Sequence, residues 1–260
     1  MKVKYRVLGA VLGLSVLAGS AFAQQTTAPT GASTAPSSSA SSSGSGSGKD
    51  LTIEQLYLSQ DIELQILTTQ ATSDNRSNQL LAIQSIQSMV QNGSLSQANP
   101  AIGTILSTLA TGGLTHQVRA GSTVTNDFPE VRREACNLLG DLGGTQAKDT
   151  LLTVLVQDKE PMVLAEAVYA LGRIGLNNKN DVTSRITWVL NQESAKATPD
   201  NNLAFACLLA VQKLSEKTGG ISDPEVINAL LGVASGNYIR EVRLKAIDTI
   251  YQLRKQQKQG

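Results

Sequence analysis

The residues that most often carry catalytic or metal chemistry are scarce in this sequence. Its 260 residues include one histidine, His116, and two cysteines, Cys136 and Cys207. Structural zinc sites typically take four such ligands, so this chain has too few. The sequence has no Gly-x-Ser-x-Gly elbow that would present a nucleophile to His116, and no Gly-Lys-Ser/Thr phosphate loop. We therefore predict no catalytic residue, no metal site and no cofactor.

A disulfide between Cys136 and Cys207 is the remaining chemistry to consider. Both cysteines fall on the apolar faces of predicted helices, about two helix layers apart in the repeat register described below. Layers packed roughly 8–10 Å apart would separate the two Cα atoms by more than a disulfide spans. We predict two buried thiols that are not joined.

The charge of the chain argues against nucleic-acid binding. Removing the three positive charges of Lys2, Lys4 and Arg6 changes the net charge from +1 to −2, which leaves no broad basic field. Residues 238–260 are an exception, with six basic and two acidic side chains. This segment is either a solvated helix end favoured by the helix dipole or a contact for an acidic partner or anionic surface.

The first 23 residues have the order of a secretory signal peptide. A basic start is followed by an uncharged apolar run over 7–19 and by an Ala-x-Ala sequence that ends at Ala23. The run of about 13 residues is shorter than the roughly 20 that span a bilayer. We expect cleavage before Gln24 and export, to a bacterial periplasm or otherwise by secretion, with no transmembrane span in the mature chain.

Residues 24–50 form the next segment, which consists mainly of Ser, Gly, Thr, Ala and Pro. It offers no large apolar side chain to bury, so ordering its backbone would cost entropy with little return. We predict a disordered tether.

Beyond residue 50, apolar residues recur at steps of three and four, which is the spacing of an amphipathic helix. Predicted helices cover about 52–70, 75–91 and 99–111, and a polar loop follows over about 112–127. Strand patterns are essentially absent, since Ser122 to Thr125 is too short and isolated. We interpret residues 51–126 as an N-terminal helical cap and a degenerate repeat with a polar loop.

From residue 127 to residue 260 the chain repeats itself. First-helix positions recur at spacings of 32, 40 and 39 residues as Ala135, Leu139 and Leu142, then Ala167, Leu171 and Ile174, then Cys207, Val211 and Leu214, then Ala246, Ile250 and Leu253. A weaker copy, Ala82, Ile86 and Met89, precedes them by 53 residues. Second-helix positions share a register as Ile102, Ile105 and Leu106, Leu151, Val154 and Leu155, Ile186, Val189 and Leu190, then Ile227, Leu230 and Leu231. Repeated helix pairs of this length predict an all-α fold, an α-solenoid of antiparallel helix pairs.

Particular residues within the repeats resemble a known family. The first copy carries Asp127, Pro129, Val131, Arg132, Ala135, Leu139, Gly140, Leu142 and Gly143, and the second carries Asp158, Pro161, Val163, Ala167, Leu171, Gly172, Ile174 and Gly175. These strings resemble the short bacterial form of the HEAT repeat. The resemblance implies protein binding or scaffolding rather than one reaction, and a concave surface lined by the second helices.

Helix ends in the repeats have recognisable signals. Four aspartates precede helix starts near a proline and are predicted N-caps: Asp127, Asp158, Asp200 and Asp223. Gly143 and Gly175 are predicted helix ends.

The one tryptophan marks the predicted partner-binding face. Trp188 lies on the outward side of a second helix with Arg185 and Gln192, and Thr153 occupies the matching position on the preceding second helix, near Asp149. An exposed aromatic beside an arginine is a typical binding hot spot. The alternative is that Trp188 packs under the loop 194–200.

The sequence therefore favours a non-enzymatic, exported scaffold that binds another protein through the concave face. One alternative is an accessory or lyase-like module acting with an enzyme, because some HEAT-like families resemble this chain and handle tetrapyrroles. Another is a structural spacer in a cell-envelope machine.

Overall fold

The computed structural model describes residues 53–93 and 100–257, which lie in one compact unit. Its helices are α1 (Ile53–Ala71), α2 (Arg76–Gln91), α3 (Pro100–Ala110), α4 (Pro129–Leu142), α5 (Gly144–Gln157), α6 (Pro161–Ile174), α7 (Asp181–Ser194), α8 (Asn201–Thr218), α9 (Pro224–Ser235) and α10 (Arg240–Gln257). The first three agree with the predicted helices to within two residues. The predicted signal peptide and tether lie outside the described residues.

The helices pack in two columns. The first-helix column consists of α2, α4, α6, α8 and α10, each in contact with the next, and the second-helix column consists of α1, α3, α5, α7 and α9. Each second-column helix also packs against the first-column helix that follows it in the chain. The predicted all-α solenoid of helix pairs is confirmed, and α1 begins the second column by packing on α2 and α3. No helix in the described ranges is long and apolar enough to span a membrane.

Glycines set the close approach of the first-column helices. A Cβ atom added at Gly140 of α4 would lie 2.9 Å from the Ala170 Cβ of α6. One added at Gly172 of α6 would lie 2.7 Å from the Ala210 Cα of α8. Because a Cβ at either position would clash, the Leu-Gly pairs of the repeats allow neighbouring backbones to touch.

The polar loop between α3 and α4 contains a small hairpin that the sequence interpretation dismissed. Strand β1 (Arg119–Ala120) pairs with strand β2 (Thr123–Val124) in antiparallel register. The buried side chain of Asn126 closes the loop, since it accepts from the Val118 amide and donates to the His116 carbonyl and to Asp74. Local side-chain hydrogen bonds therefore replace an apolar core here.

Two of the four predicted N-caps are confirmed. The Asp200 carboxylate accepts from the Leu203 amide at 2.9 Å, and Asp223 accepts from the Glu225 amide at 2.9 Å. Gly143 and Gly175 also end α4 and α6 with positive φ, as predicted.

The N-cap predictions for Asp127 and Asp158 are wrong. The caps of α4 and α6 are Phe128 and Glu160, which make no side-chain cap hydrogen bond. Both aspartates instead pair with Arg132, whose guanidinium is buried. Asp158 also accepts from the Lys159 and Glu160 amides, so it bonds the backbone ahead of α6 without serving as its N-cap.

Candidate protein-binding face

The residues with potential chemistry are dispersed in the structure. His116 is exposed in the polar loop, whereas Cys136 and Cys207 are buried, as the register predicts, and both are free. Burial raises the pKa of both thiols, which keeps them protonated and unreactive. Within the described part of the chain, no three His, Cys, Asp or Glu side chains are grouped so that they could hold a metal ion.

Trp188 of α7 is the central residue of the candidate face. Its neighbours Ile186, Val189 and Leu190 are buried against the array, but Trp188 points away from them and is 44% exposed. The structure thus decides between the two alternatives, because a tryptophan packed under the loop 194–200 would be covered. The large apolar ring is available to a partner.

Arg185 completes a cation–π pair with this ring. The guanidinium carbon lies 5.5 Å from the ring centroid of Trp188, within the distance at which the charge is attracted to the ring face. The pair presents an apolar plane and a cation side by side. Such a surface suits a partner that offers an apolar group next to a carboxylate.

The other three predicted residues share exposed sides of the same two helices. Gln192 lies one turn beyond Trp188 on α7. Asp149 and Thr153 are exposed on α5, where the Thr153 hydroxyl donates to the Asp149 carbonyl at 3.0 Å. Among these five residues the described contact with the Trp188 ring is the cation–π contact of Arg185.

A buried lysine that the sequence interpretation missed holds α5 and α7 together. Lys148 is buried in α5 and pairs with Asp181 at the first turn of α7, and its ammonium also lies 3.5 Å from Asp149. The signal was present in the sequence, because Lys148 precedes Leu151 and Leu155 on the apolar side of the helix. This ion pair fixes the helix that carries Trp188 relative to the one that carries Asp149.

A groove between α1 and α3 lies at the other end of the second-helix column. It encloses about 210 Å³, and the lining residues are Thr68, Ala71, Thr72, Ala101, Thr104, Ile105 and Thr108. All four threonine hydroxyls donate to backbone carbonyls four residues earlier. Since their protons are engaged, the groove presents methyl groups and weak acceptors rather than catalytic donors.

Comparisons with known proteins agree with this architecture. A family model described as HEAT repeats matches residues 122–194, which include α4 to α7. No curated protein matches the sequence. Among solved structures, the chain is similar to one described as the complex of CpcE and CpcF of phycocyanin lyase from Nostoc sp. PCC7120. The TM-score is 0.51 at 16% identity, over 84% of this chain and 70% of that chain.

These findings place Trp188 and Arg185 on the last helix of the matched segment. The similarity to the solved structure concerns the fold, and the family match concerns the repeats themselves. Residues 122–194 match the family model of HEAT repeats, and the helices on either side of them continue the same two columns.

Proposed function

We propose that the chain is an exported, non-catalytic scaffold that binds another protein through the exposed side of α5 and α7. The exposed Trp188 with Arg185 against its ring is the observation that carries the proposal. Tryptophan and arginine are the residues most enriched in binding hot spots, and this pair lies on a platform fixed by the buried Lys148. Export rests on the N-terminal sequence pattern.

The similar solved structure is a complex of two proteins, which supports a protein partner. Its description as a lyase favours the second candidate, a module that acts with an enzyme on a tetrapyrrole. An absorbance spectrum of the purified protein separates the two functions, since a bound pigment absorbs visible light and a protein-only scaffold does not. A spacer subunit would instead crosslink to many components of one large assembly.

Trp188→Ala tests the proposed face. We expect the partner found by crosslinking and mass spectrometry to bind the variant more weakly by about 2 kcal/mol, or roughly 30-fold. Phe205→Ala is the matched control, because Phe205 is an exposed aromatic residue on the first-helix column. Affinity measured by calorimetry should fall for Trp188→Ala alone, with both melting temperatures close to that of the wild type. Equal affinities for the two variants would remove this face from consideration.

A further inference from the structure

The last first-column helix leaves uncovered a position that the other repeats bury. Cys136, Val168 and Leu208 occupy equivalent positions on α4, α6 and α8, and each is fully buried by the packing of successive helices. The equivalent residue on α10 is Ile247, which is 42% exposed. An apolar residue therefore stands partly exposed at a stacking position that is fully buried in the inner repeats.

A second stacking position on the same helices behaves in the same way. Gly140 and Gly172 lie against the next helix, and the Gln212 side chain of α8 donates to Asp248 of α10 at 3.2 Å. On α10 this position is Tyr251, which is 74% exposed. A tyrosine replaces the small or hydrogen-bonded residues of the inner repeats.

The last helix of the second column, α9, also carries a partly exposed apolar residue at a position that the inner repeats bury. Leu106, Leu155 and Leu190 are buried at one position of α3, α5 and α7, while Leu231 at that position of α9 is 48% exposed. Leu231, Leu244, Ile247 and Tyr251 together form the surface that we call the C-terminal face. Terminal repeats of such arrays need a polar outer surface for solubility, and this face is apolar.

Basic side chains surround the C-terminal face. Arg240 and Arg254 are each seven residues, almost two helical turns, from Ile247, so they lie on the same side of α10. Lys255 is exposed one turn beyond Tyr251. A partner for this face should therefore combine apolar and acidic groups.

The other end of the array has this complementary chemistry. Ile62 and Ile66 of α1 are exposed on the side opposite the buried Leu67 and Ala71. Leu81 is exposed on α2, the helix that packs against α1. Helix α1 has three acidic residues and no basic one. We call the surface of Asp61, Ile62, Glu63, Ile66 and Leu81 the N-terminal face.

The position that receives a preceding helix carries a small residue on α2, α6 and α8, although α4 has Leu138 there. Ala170 and Ala210 receive the glycines of α4 and α6, and in the repeat register the equivalent residue of α2 is Ser85, which is exposed. A small residue here leaves room for a bulky side chain such as Tyr251.

We propose that the C-terminal face of one copy docks on the N-terminal face of a second copy, so that the chain assembles end to end. The contact continues the stacking of the repeats and opposes basic with acidic side chains. Pairing two C-terminal faces would bring like charges together. Because the two faces differ, the interface is heterologous, and growth beyond a dimer is expected unless a ring closes. The Trp188 surface takes no part.

Sedimentation of the full chain, with its N-terminal segment as the cell processes it, tests the proposal. The wild-type mass should rise with concentration beyond that of a dimer. Ile247→Ser/Tyr251→Ser on one face and Ile62→Lys/Ile66→Lys on the other should each raise the dissociation constant by at least about 100-fold. All four positions are exposed, so circular dichroism should show an unchanged fold.

Mixing the two double variants identifies the geometry. An equimolar mixture retains one intact contact and should give a dimer that does not grow with concentration. A wild-type chain that stays monomeric, or a mixture without dimers, would overturn the proposal. An N-terminal-face variant that associates like the wild type would do so as well. Trp188→Ala should assemble normally, so the outcome is independent of the partner-binding proposal.

Discussion

Arg132 joins three segments of the chain at a buried point. Its Nε lies 2.7 Å from Asp158 on the loop before α6, and its guanidinium also pairs with Asp127 and donates to the Gly112 carbonyl at 3.3 Å. Asp158 accepts in turn from the Lys159 amide. The group is nearly fully satisfied, which a buried ion pair requires if it is to be tolerated.

Arg132→Ala should destabilise the fold by about 3–5 kcal/mol, because Asp158 would remain buried without its cation. Arg133→Ala is the matched control, since the neighbouring Arg133 pairs with Glu134 at the surface and should contribute less than about 1 kcal/mol. Denaturant unfolding of both variants measures the difference. Equal losses of unfolding free energy in the two variants would show that the buried Arg132–Asp158 pair contributes no more than the surface pair of Arg133.

Glu166 gives the fold a pH dependence. Burial raises the pKa of its carboxyl above the ordinary value of 4.5, although the nearby Arg173 opposes the shift. The folded chain holds this proton more tightly than the unfolded chain does. The contribution of Glu166 to the free energy of unfolding is therefore fully present below pH 4.5 and is lost as the pH rises through the raised pKa.

Glu166→Gln should therefore match the wild type in acid and exceed it in stability at neutral pH. Thermal melts across that range measure the difference, with the exposed Glu216→Gln of α8 as the control. A variant that is less stable than the wild type at neutral pH would contradict the assignment.

Residue-level prediction from the sequence had a clear limit. The period placed Trp188 on the outward side of its helix, but an amphipathic pattern does not tell whether a loop covers that side. Asp127 and Asp158 looked like caps because capping is a local signal. Arg132 lies only five residues after Asp127, whereas the packing of successive helices brings it to Asp158, 26 residues away, and no local signal contains that contact.

At the scale of the helices, the glycines of the first column allow neighbouring helices to pack closely. Gly172→Ala should cost about 1–3 kcal/mol, because its Cβ would meet the α8 backbone 2.7 Å away and force α6 and α8 apart. Gly232→Ala in α9 is the opposite case. Nothing lies within 4 Å of a Cβ there, so the higher helix propensity of alanine should add about 0.5–1 kcal/mol. Melting temperatures of the two variants should shift in opposite directions.

The elements themselves were the most predictable level of the structure. The helices carry long apolar periods, and several end at a Gly or Asn signal, as α6 does at Gly175 and α2 at Asn92, although α5 and α7 end at Asp158 and Ala195. The hairpin of β1 and β2 was missed because two-residue strands have no period, and its order depends on Asn126.

At the scale of the whole molecule, each helix should be stabilised mainly by the neighbouring helices that it contacts. A first-column helix contacts the helices before and after it in the column and its second-column partners, so α6 contributes to two column interfaces and α10 to one. In such an array the free energy is approximately a sum over repeats and adjacent interfaces. The helices at the ends of the array should therefore unfold locally while the central helices stay folded.

Two leucine-to-alanine substitutions, one in a central helix and one in the last helix, test this behaviour. Leu171 of α6 and Leu253 of α10 are both buried, and Leu→Ala at such sites costs about 2–5 kcal/mol. Leu253→Ala should speed amide hydrogen exchange in α9 and α10 but leave α4 unchanged, because no interface connects them directly. Leu171→Ala should speed exchange from α4 through α8. If Leu253→Ala accelerated exchange in α4 as much as in α10, the repeats would unfold as one cooperative unit rather than as a chain of coupled neighbours.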